Sequence, residues 1–165
     1  FKKNGKIDVR KINLKNSILT NFENSLMLFH TGIFRIAESI TKNYAKKIDY
    51  KTTELDNIND LVNEGITTLK SGKIDEFAKI LDATWKYKKK VNSKISSGKI
   101  DDIYNVAMKN GALGGKLLGA GGGGFILFVV PLKNQMKVKK SLNRLLHVPF
   151  RFENDGSTIV YKKKY

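Results

Sequence analysis

The sequence has 165 residues, of which 41% are apolar and 28% are charged, the proportions of a folded globular protein rather than a disordered or fibrous chain. The longest apolar run, residues 125–132, is far shorter than the roughly 20 residues of a membrane-spanning helix, so we expect no membrane partner. The sequence lacks cysteine, which excludes disulfides and cysteine-bound zinc and agrees with a cytoplasmic location. Because the first residue is not methionine, we expect a fragment of a longer protein.

The formal net charge of +16 raises the question of a nucleic-acid partner, because phosphates attract basic side chains. Only four of the 31 basic residues are arginine, the residue that reads guanine edges and stacks on bases. The lysines are also scattered along the chain. We therefore interpret most of the charge as solvated surface and consider a nucleic-acid partner unlikely.

Periodicity in the first 90 residues predicts two strands and four helices. Alternating apolar residues predict a short strand over residues 6–10, and a compact apolar run predicts a buried strand over residues 26–29. Helical spacing predicts a short helix over residues 14–24 and a longer one after Thr31-Gly32, over residues 33–48. Two further amphipathic helices, over residues 55–69 and 74–88, are separated by a glycine typical of a helix end.

The second half of the chain predicts helices alternating with strands. A helix with Asp101 and Asp102 in its first turn runs to Gly111, and the clearest strand covers residues 125–130. Another helix follows over residues 138–146, and two strands over 150–152 and 159–161 form a hairpin. This order predicts an α+β fold with an antiparallel sheet and helices on one side.

Eight of the fourteen glycines lie within residues 111–124. Glycine loses much conformational entropy on ordering and packs little, so a run of this kind indicates a backbone that something else must approach closely. Successive amides can form a concave anion-binding nest. A dinucleotide fingerprint needs a strand before the glycines and a helix after them, and a P-loop needs Lys-Ser or Lys-Thr at its end; this sequence has neither.

The order that fits is Lys116-Leu-Leu-Gly-Ala-Gly-Gly-Gly-Gly running into an apolar strand, which resembles the third, C-terminal motif of the GHMP kinases. Upstream, Thr31-Gly-x-x-Arg35-x-Ala37 is similar to a segment of the heptose 7-phosphate kinase and fucose kinase branch of that family. Gly111-Ala-Leu-Gly-Gly-Lys116 is also similar to the bacterial heptose 7-phosphate kinases. The resemblance covers nearly the whole chain and implies a ferredoxin-like C-terminal domain with added helices.

The resemblance implies the C-terminal part of an ATP-dependent sugar kinase that phosphorylates the anomeric hydroxyl of a heptose 7-phosphate for nucleotide-heptose synthesis. The family's phosphate loop, Mg²⁺ ligands and catalytic aspartate belong to an N-terminal domain, and no such loop occurs in this sequence. We therefore expect residues 1–30 to be a tail of that missing domain and residues 31–165 to be the C-terminal domain. We expect no catalytic residue and no metal ligand in this chain, and no activity from it alone.

The expected site residues fall into two groups. The ATP and phosphate region comprises Lys116, Gly119, Ala120, Gly121, Gly122, Gly123 and Gly124. The sugar phosphate would contact Thr31, Gly32 and Arg35, since guanidinium groups suit phosphate oxygens. Arg35 could instead form a surface ion pair with Glu38, and Lys116 could be an ordinary lysine at a strand edge. Two alternative functions are another GHMP sugar kinase such as a fucokinase, or a stand-alone ferredoxin-like module that binds anions or nucleic acid.

Overall fold

A four-stranded antiparallel sheet with the strand order β2-β3-β1-β4 organises the molecule. The computed structural model describes residues 5–9, 11–34, 52–153, 155–161 and 163. In chain order the elements are α1 (Asn16–Ser25), β1 (Leu26–His30), α2 (Thr52–Lys70), α3 (Ile74–Val91), a 3₁₀ turn (Ser93–Ile95), α4 (Gly98–Lys109), β2 (Gly114–Leu117), β3 (Phe125–Val129), α5 (Leu132–Ser141) and β4 (Leu146–His147). The predicted α+β class is confirmed.

Strand β1 lies inside the sheet. It pairs with β3 over five positions, from Leu26 opposite Val129 to His30 opposite Phe125, and its other edge pairs with the two-residue strand β4. Strand β2 pairs with the far edge of β3, from Gly114 opposite Val129 to Leu117 opposite Ile126. Strands β2 and β3 therefore form a hairpin whose connection is the glycine-rich segment.

One face of the sheet carries the main hydrophobic core. Alternate residues of the strands point into it, because side chains on a strand alternate between the two faces. Its largest fully buried members come from β1, β3 and α3: Phe29, Phe128 and Trp85. The remaining core residues lie on β1, the 3₁₀ turn, α4, β2, β3, α5 and the segments that flank them: Met27, Ile95, Ile100, Tyr104, Ala107, Ala112, Leu117, Ile126, Val130, Val138 and Leu142.

Four of the predicted helices agree with the structure to within a few residues: α1, α2, α3 and α4. The turn between α2 and α3 uses Gly72 at φ +76°, a backbone conformation that glycine adopts without strain. The helix predicted over residues 33–48 lies almost entirely outside the described residues. No helix in the described part of the chain is both long enough and apolar enough to cross a membrane.

Three predicted strands near the ends of the chain, over residues 6–10, 150–152 and 159–161, are wrong. Residues 5–9 form no strand, and Ile7 and Val9 are 65% and 87% exposed. The described residues of 150–161 form no hairpin, and Ile159 and Val160 are also exposed. Alternating apolar residues become strands only where a partner strand and a core are available, and in these segments neither is present among the described residues.

The predicted helix over residues 138–146 is wrong in its second half. Helix α5 ends at Ser141, and the chain turns through Leu142 and Leu145, whose amide donates to the carbonyl of Leu142 at 2.9 Å. Leu146 and His147 then pair with β1 as the edge strand β4. Strand pairing outweighs the helical spacing of these leucines.

Candidate functional site

The glycine-rich connection of the β2–β3 hairpin, residues 118–124, is called the glycine loop below. It leaves β2 at Leu118, whose amide donates to the carbonyl of Phe125 at 2.8 Å, so the two strands stay paired up to the base of the loop. The sequence had predicted only the strand after the glycines. Strand β2, which contains two glycines itself, was missed.

Glycine is required in this loop by its backbone. Gly119, Gly121, Gly122 and Gly124 have φ values of +67°, +104°, +78° and +89°, a region that other residues rarely enter. Gly123 has an ordinary φ, but a β-carbon there would fall on the carbonyl oxygen of Ile33, well inside contact distance. Five of the six residues from 119 to 124 therefore have a physical reason to be glycine.

Thr31 and Ile33, just beyond β1, hold the far end of the loop. The amide and the hydroxyl of Thr31 both donate to the carbonyl of Gly124, each at 2.8 Å. In return, the amide of Gly124 donates to the carbonyl of Ile33 at 3.0 Å. The Thr31 hydroxyl also accepts from the amide of Ile33 at 3.2 Å. This reciprocal set fixes both the position and the direction of Gly124.

The middle and the near end of the loop are held from the other side. The amide of Gly122 donates to the carbonyl of Ile95 in the 3₁₀ turn at 2.8 Å. The ammonium of Lys88 on α3 donates to the carbonyl of Gly119, also at 2.8 Å. Burial, and then the nearby charge of Lys116, lower the pKa of Lys88. Hydrogen bonds therefore connect the loop to three separate parts of the chain and restrict the flexibility of its glycines.

The glycine loop forms one wall of an open groove of about 290 Å³. The groove is lined by Ile33, Phe34, Leu118, Gly119, Ala120, Gly121, Gly123, Gly124 and Phe125. In the described part of the chain the amides of Gly119, Ala120, Gly121 and Gly123 donate no hydrogen bond. The predicted anion-binding nest therefore contains fewer available amides than the sequence suggested, because the amides of Gly122 and Gly124 already donate to carbonyls of the protein. The four remaining amides can donate to an anion.

Two of the residues that line the groove, Phe34 and Phe125, are aromatic, and both lie near the ring of His30. The ring of His30 lies 5.5 Å from that of Phe34 and 5.0 Å from that of Phe125, between centroids. Phe34 is 84% exposed and Phe125 is 41% exposed. The groove is thus lined by glycines and by apolar rings, and a mixture of backbone polar groups and apolar side chains is typical of small-molecule sites.

The predicted sugar-phosphate residues have different positions. Thr31 is buried, and its hydroxyl makes two hydrogen bonds within the protein, to Gly124 and Ile33. It therefore positions the glycine loop. Gly32 is exposed at φ +70°, and space is open around it. Arg35 lies outside the described residues.

Lys116 does not line the groove. It lies on β2 opposite Leu127, and its side chain borders a second, apolar cavity of about 290 Å³ between α1, α2 and α3. Its charge nevertheless acts on Lys88, which touches the glycine loop. The lysine therefore lies beside the predicted phosphate region rather than inside it.

Sequence reasoning missed the contacts that shape the loop. The Lys88–Gly119 hydrogen bond joins residues 31 positions apart, and the Thr31–Gly124 bonds join residues 93 positions apart. Ile95 carried no signal at all, because it contributes through its backbone carbonyl. Within the described ranges, no group of three or more His, Asp and Glu residues could hold a metal ion.

Residues 66–147 match the family model described as GHMP kinases, C terminal. This span contains the glycine loop and both strands that frame it. The chain carries a GHMP kinase C-terminal domain. The glycine loop joins two antiparallel strands, whereas the glycines of a dinucleotide-binding fold lie between a strand and a helix.

Individual relatives agree with this assignment. The chain is 30% identical over 148 residues to a D-glycero-alpha-D-manno-heptose 7-phosphate kinase from Campylobacter jejuni, covering 87% of this chain and 43% of the relative. It is 24% identical over 132 residues to a bifunctional fucokinase/GDP-fucose pyrophosphorylase from Arabidopsis thaliana, covering 78% and 12%. A crystal structure of a D-glycero-D-manno-heptose 1-phosphate kinase from Bacteroides thetaiotaomicron superposes with a TM-score of 0.64 at 27% identity, covering 93% and 40%. The chain spans less than half the length of these relatives.

Proposed function

We propose that this chain is the C-terminal part of an ATP-dependent sugar kinase that phosphorylates the anomeric hydroxyl of a heptose 7-phosphate. The observation that carries the proposal is the glycine loop, which is held in place by hydrogen bonds while its amides at Gly119, Ala120, Gly121 and Gly123 donate none in the described structure. The similarity to the Campylobacter jejuni heptose 7-phosphate kinase supports the choice of sugar. The product would be a 1,7-bisphosphate that enters nucleotide-heptose synthesis in the cytoplasm.

In this proposal the glycine loop positions the transferring phosphoryl group and stabilises its negative charge. Phosphoryl transfer depends mostly on alignment and on neutralising the charge of the transferring group, and fixed amide donors supply both without reorganising. The loop would face the cleft between two domains, and closure of the cleft would exclude water that competes with the sugar hydroxyl. ATP and the sugar phosphate would both bind in that cleft.

The chemical groups would come from an N-terminal domain. We propose that this domain supplies the phosphate-binding loop, the Mg²⁺ ligands and the catalytic aspartate, and that no catalytic residue lies in this chain. The expected tail of that domain in residues 1–30 becomes shorter in the proposal, ending ahead of α1, because β1 pairs inside the sheet of this domain. The complete reading frame would then contain about 150 to 200 further residues upstream.

The test compares the complete protein with this chain alone. Each is incubated with ATP, Mg²⁺ and D-glycero-D-manno-heptose 7-phosphate, and ³¹P NMR follows the appearance of an anomeric phosphate. We expect the bisphosphate from the complete protein only. Turnover by the isolated chain would show that catalytic groups lie here, and no transfer to any sugar by the complete protein would reject the kinase.

A fucokinase is the second candidate, supported by the similarity to the Arabidopsis thaliana enzyme. A parallel reaction with L-fucose separates the two. A product formed from fucose but not from the heptose phosphate would keep the kinase assignment and change its substrate.

A further inference from the structure

The apolar cavity that Lys116 borders is separate from the groove beside the glycine loop, and we call it the helix cavity. Its volume is about 290 Å³, and α1, α2, α3 and β2 all contribute to its lining. Among the described residues, all but Thr84 and Lys116 of that lining are apolar or glycine. None of them belongs to the main hydrophobic core or lines the groove of the glycine loop. The helix cavity is therefore a second, independent space within the domain.

The volume of the helix cavity is large enough for a small organic molecule. A cavity of roughly 150 Å³ with apolar walls holds benzene, and the helix cavity is about twice that size. It therefore has space for a hydrocarbon chain of roughly eight carbon atoms. It is too small for a helix of another protein, whose diameter with side chains is about 10 Å. A second copy of this chain is also a poor occupant, because each copy has a formal charge of +16.

Gly65 lies inside α2 and lines the helix cavity. Glycine within a helix costs about 1 kcal/mol relative to alanine. A β-carbon at Gly65 would meet the ring of Phe77 at 3.6 Å and Cγ2 of Ile80 at 3.7 Å, which are ordinary contact distances. No close approach of α3 therefore requires glycine at this position. Its effect is to leave space in the cavity that a longer side chain would occupy.

Lys116 is the one charged residue among the described residues of the lining. It is half-buried, and in the described part of the chain it forms no ion pair with a carboxylate. The other polar residue of the lining is already satisfied, because the Thr84 hydroxyl donates to the carbonyl of Ile80 at 2.9 Å. A ligand that matches these walls has a hydrocarbon body and one anionic group. A single ammonium balances one negative charge, which favours a carboxylate over a phosphate dianion.

We propose that the helix cavity binds a medium-chain aliphatic carboxylate, with its hydrocarbon chain between α1, α2 and α3 and its carboxylate paired with Lys116. The proposal goes beyond the proposed kinase function and does not rest on it, because the two concern different cavities. Binding can also be measured without any turnover.

The experiment titrates the ¹⁵N-labelled 165-residue chain with octanoate at neutral pH and constant ionic strength. NMR gives Kd from the amide shifts of Gly65 and Ile66, two neighbouring residues of the lining. Two further probes divide the ligand into its parts. The first, 1-octanol, has the chain without the carboxylate, and the second, acetate, has the carboxylate without the chain.

The variants test the space and the charge separately. Gly65→Leu fills the cavity with a good helix former, whereas Gly65→Ala adds only a β-carbon that fits. Thr84→Met fills the cavity from α3 and serves if Gly65→Leu does not fold. Lys116→Met keeps the aliphatic stem and removes the charge. Its matched control is Lys79→Met, at an exposed lysine of α3 that does not line the cavity.

We expect octanoate to shift both amides, 1-octanol to bind more weakly and acetate to shift neither. Lys116→Met should raise the octanoate Kd about five- to tenfold and leave the 1-octanol Kd unchanged. A folded cavity-filling variant should raise the octanoate Kd at least about tenfold. Gly65→Ala and Lys79→Met should change it by about twofold or less. Gly65→Ala should also unfold at a higher urea concentration than the original chain, because alanine is the better helix former.

Four results would overturn the proposal. The first is the absence of any shift at Gly65 and Ile66 with octanoate. The second is an unchanged octanoate Kd in a folded cavity-filling variant, which would place the ligand elsewhere. The third is an equal effect of Lys116→Met and Lys79→Met, which would show that only the overall charge matters. The fourth is binding by the isolated chain but not by the complete protein, which would mean that upstream residues cover the cavity. None of these results would bear on the kinase assay.

Discussion

Thr31 donates twice to one acceptor, the carbonyl of Gly124, from its amide and from its hydroxyl, each at 2.8 Å. The two residues are 93 positions apart and lie at the ends of neighbouring strands, Thr31 just after β1 and Gly124 just before β3. The glycine loop is thus fixed at the point where it enters the sheet. A threonine that the sequence assigned to the substrate positions the loop through its backbone and its side chain together.

Replacing Thr31 by Val should loosen the loop without removing volume. The variant leaves the amide of Ile33 without its hydroxyl acceptor and removes one of the two bonds to Gly124, at a cost of about 1–3 kcal/mol in the free energy of unfolding. Hydrogen exchange at Gly124 and Ile33 should become faster. Thr31→Ser should restore both values, since serine keeps the hydroxyl. Equal exchange in Val and Ser variants would contradict the positioning role, and exposed Thr20→Val serves as the control.

Replacing Gly123 by Ala should displace the loop, because the new β-carbon would meet the carbonyl of Ile33. Overpacking of this kind costs about 1–3 kcal/mol. Chemical denaturation measures the loss, and the proposed kinase activity of the complete protein should fall in parallel. The matched control is Gly98→Ala at the start of α4, where a β-carbon meets nothing within 4 Å, so we expect a change within about 0.5 kcal/mol. Similar values for both variants would show that the loop adapts freely.

Replacing Gly114 by Ala should destabilise the domain rather than the loop. A β-carbon at Gly114 would fall on the carbonyl of Ala78, where β2 packs closely against α3. The carbonyl belongs to the backbone and the backbone fixes the position of the β-carbon, so neither can rotate away, and we expect a lower Tm and a loss of about 2 kcal/mol or more. Calorimetry of the variant checks this. A Tm equal to that of the original chain would mean that α3 can shift away from β2.

The stability of the domain should fall above pH 10 through Tyr104. Its hydroxyl donates its one proton to Asp82 at 2.6 Å, and the carbonyl of Gly115 lies 3.3 Å away as a weaker acceptor that shares it. Burial, and then Asp82, raise the pKa of Tyr104 well above its ordinary value of 10.0. The unfolded chain therefore loses this proton first as the pH rises, so the stability that the neutral hydroxyl contributes is complete below pH 10 and declines above it.

Urea denaturation at several pH values measures this effect. The free energy of unfolding of the original chain should decrease more steeply between pH 9 and 11 than that of Tyr104→Phe, which cannot ionise. Tyr161→Phe, at a tyrosine that is 78% exposed, should behave like the original chain. Parallel curves for the original chain and Tyr104→Phe would contradict the prediction. The comparison between variants removes the contribution of lysines that titrate in the same range.

Local sequence signals predicted the helices and the strands that bury a clear apolar pattern. The order of glycines followed by Phe125–Val129 predicted the position of the glycine loop, and the amphipathic spacing predicted α2 and α3. Strand β2 was missed because glycine has a low strand propensity. Its pairing with β3 and the close approach of α3 at Ala78, which only glycine permits, are properties of the tertiary structure.

The shape of the site depended on contacts that no local pattern contains. Residues 159–161 have a strand-like pattern but have no partner strand in the described structure, so the strand predicted from the pattern is wrong. Conversely, the carbonyls of Ile33 and Ile95 carry no sequence signal, yet they decide which loop amides remain available. The many glycines of the loop predicted that it could bind an anion. Only the fold determined which amides remain available for the proposed anion.

The attachments of the glycine loop have a practical consequence for recognising and transplanting it. A peptide or a grafted hairpin containing residues 111–130 would keep the complete glycine-rich sequence motif, called the signature here. It would lack Thr31, Lys88 and Ile95. Such a segment would be scored as a phosphate-binding element by any motif search, although nothing would hold its amides in place. The functional unit is therefore the whole α+β domain, and the signature is only its most visible part.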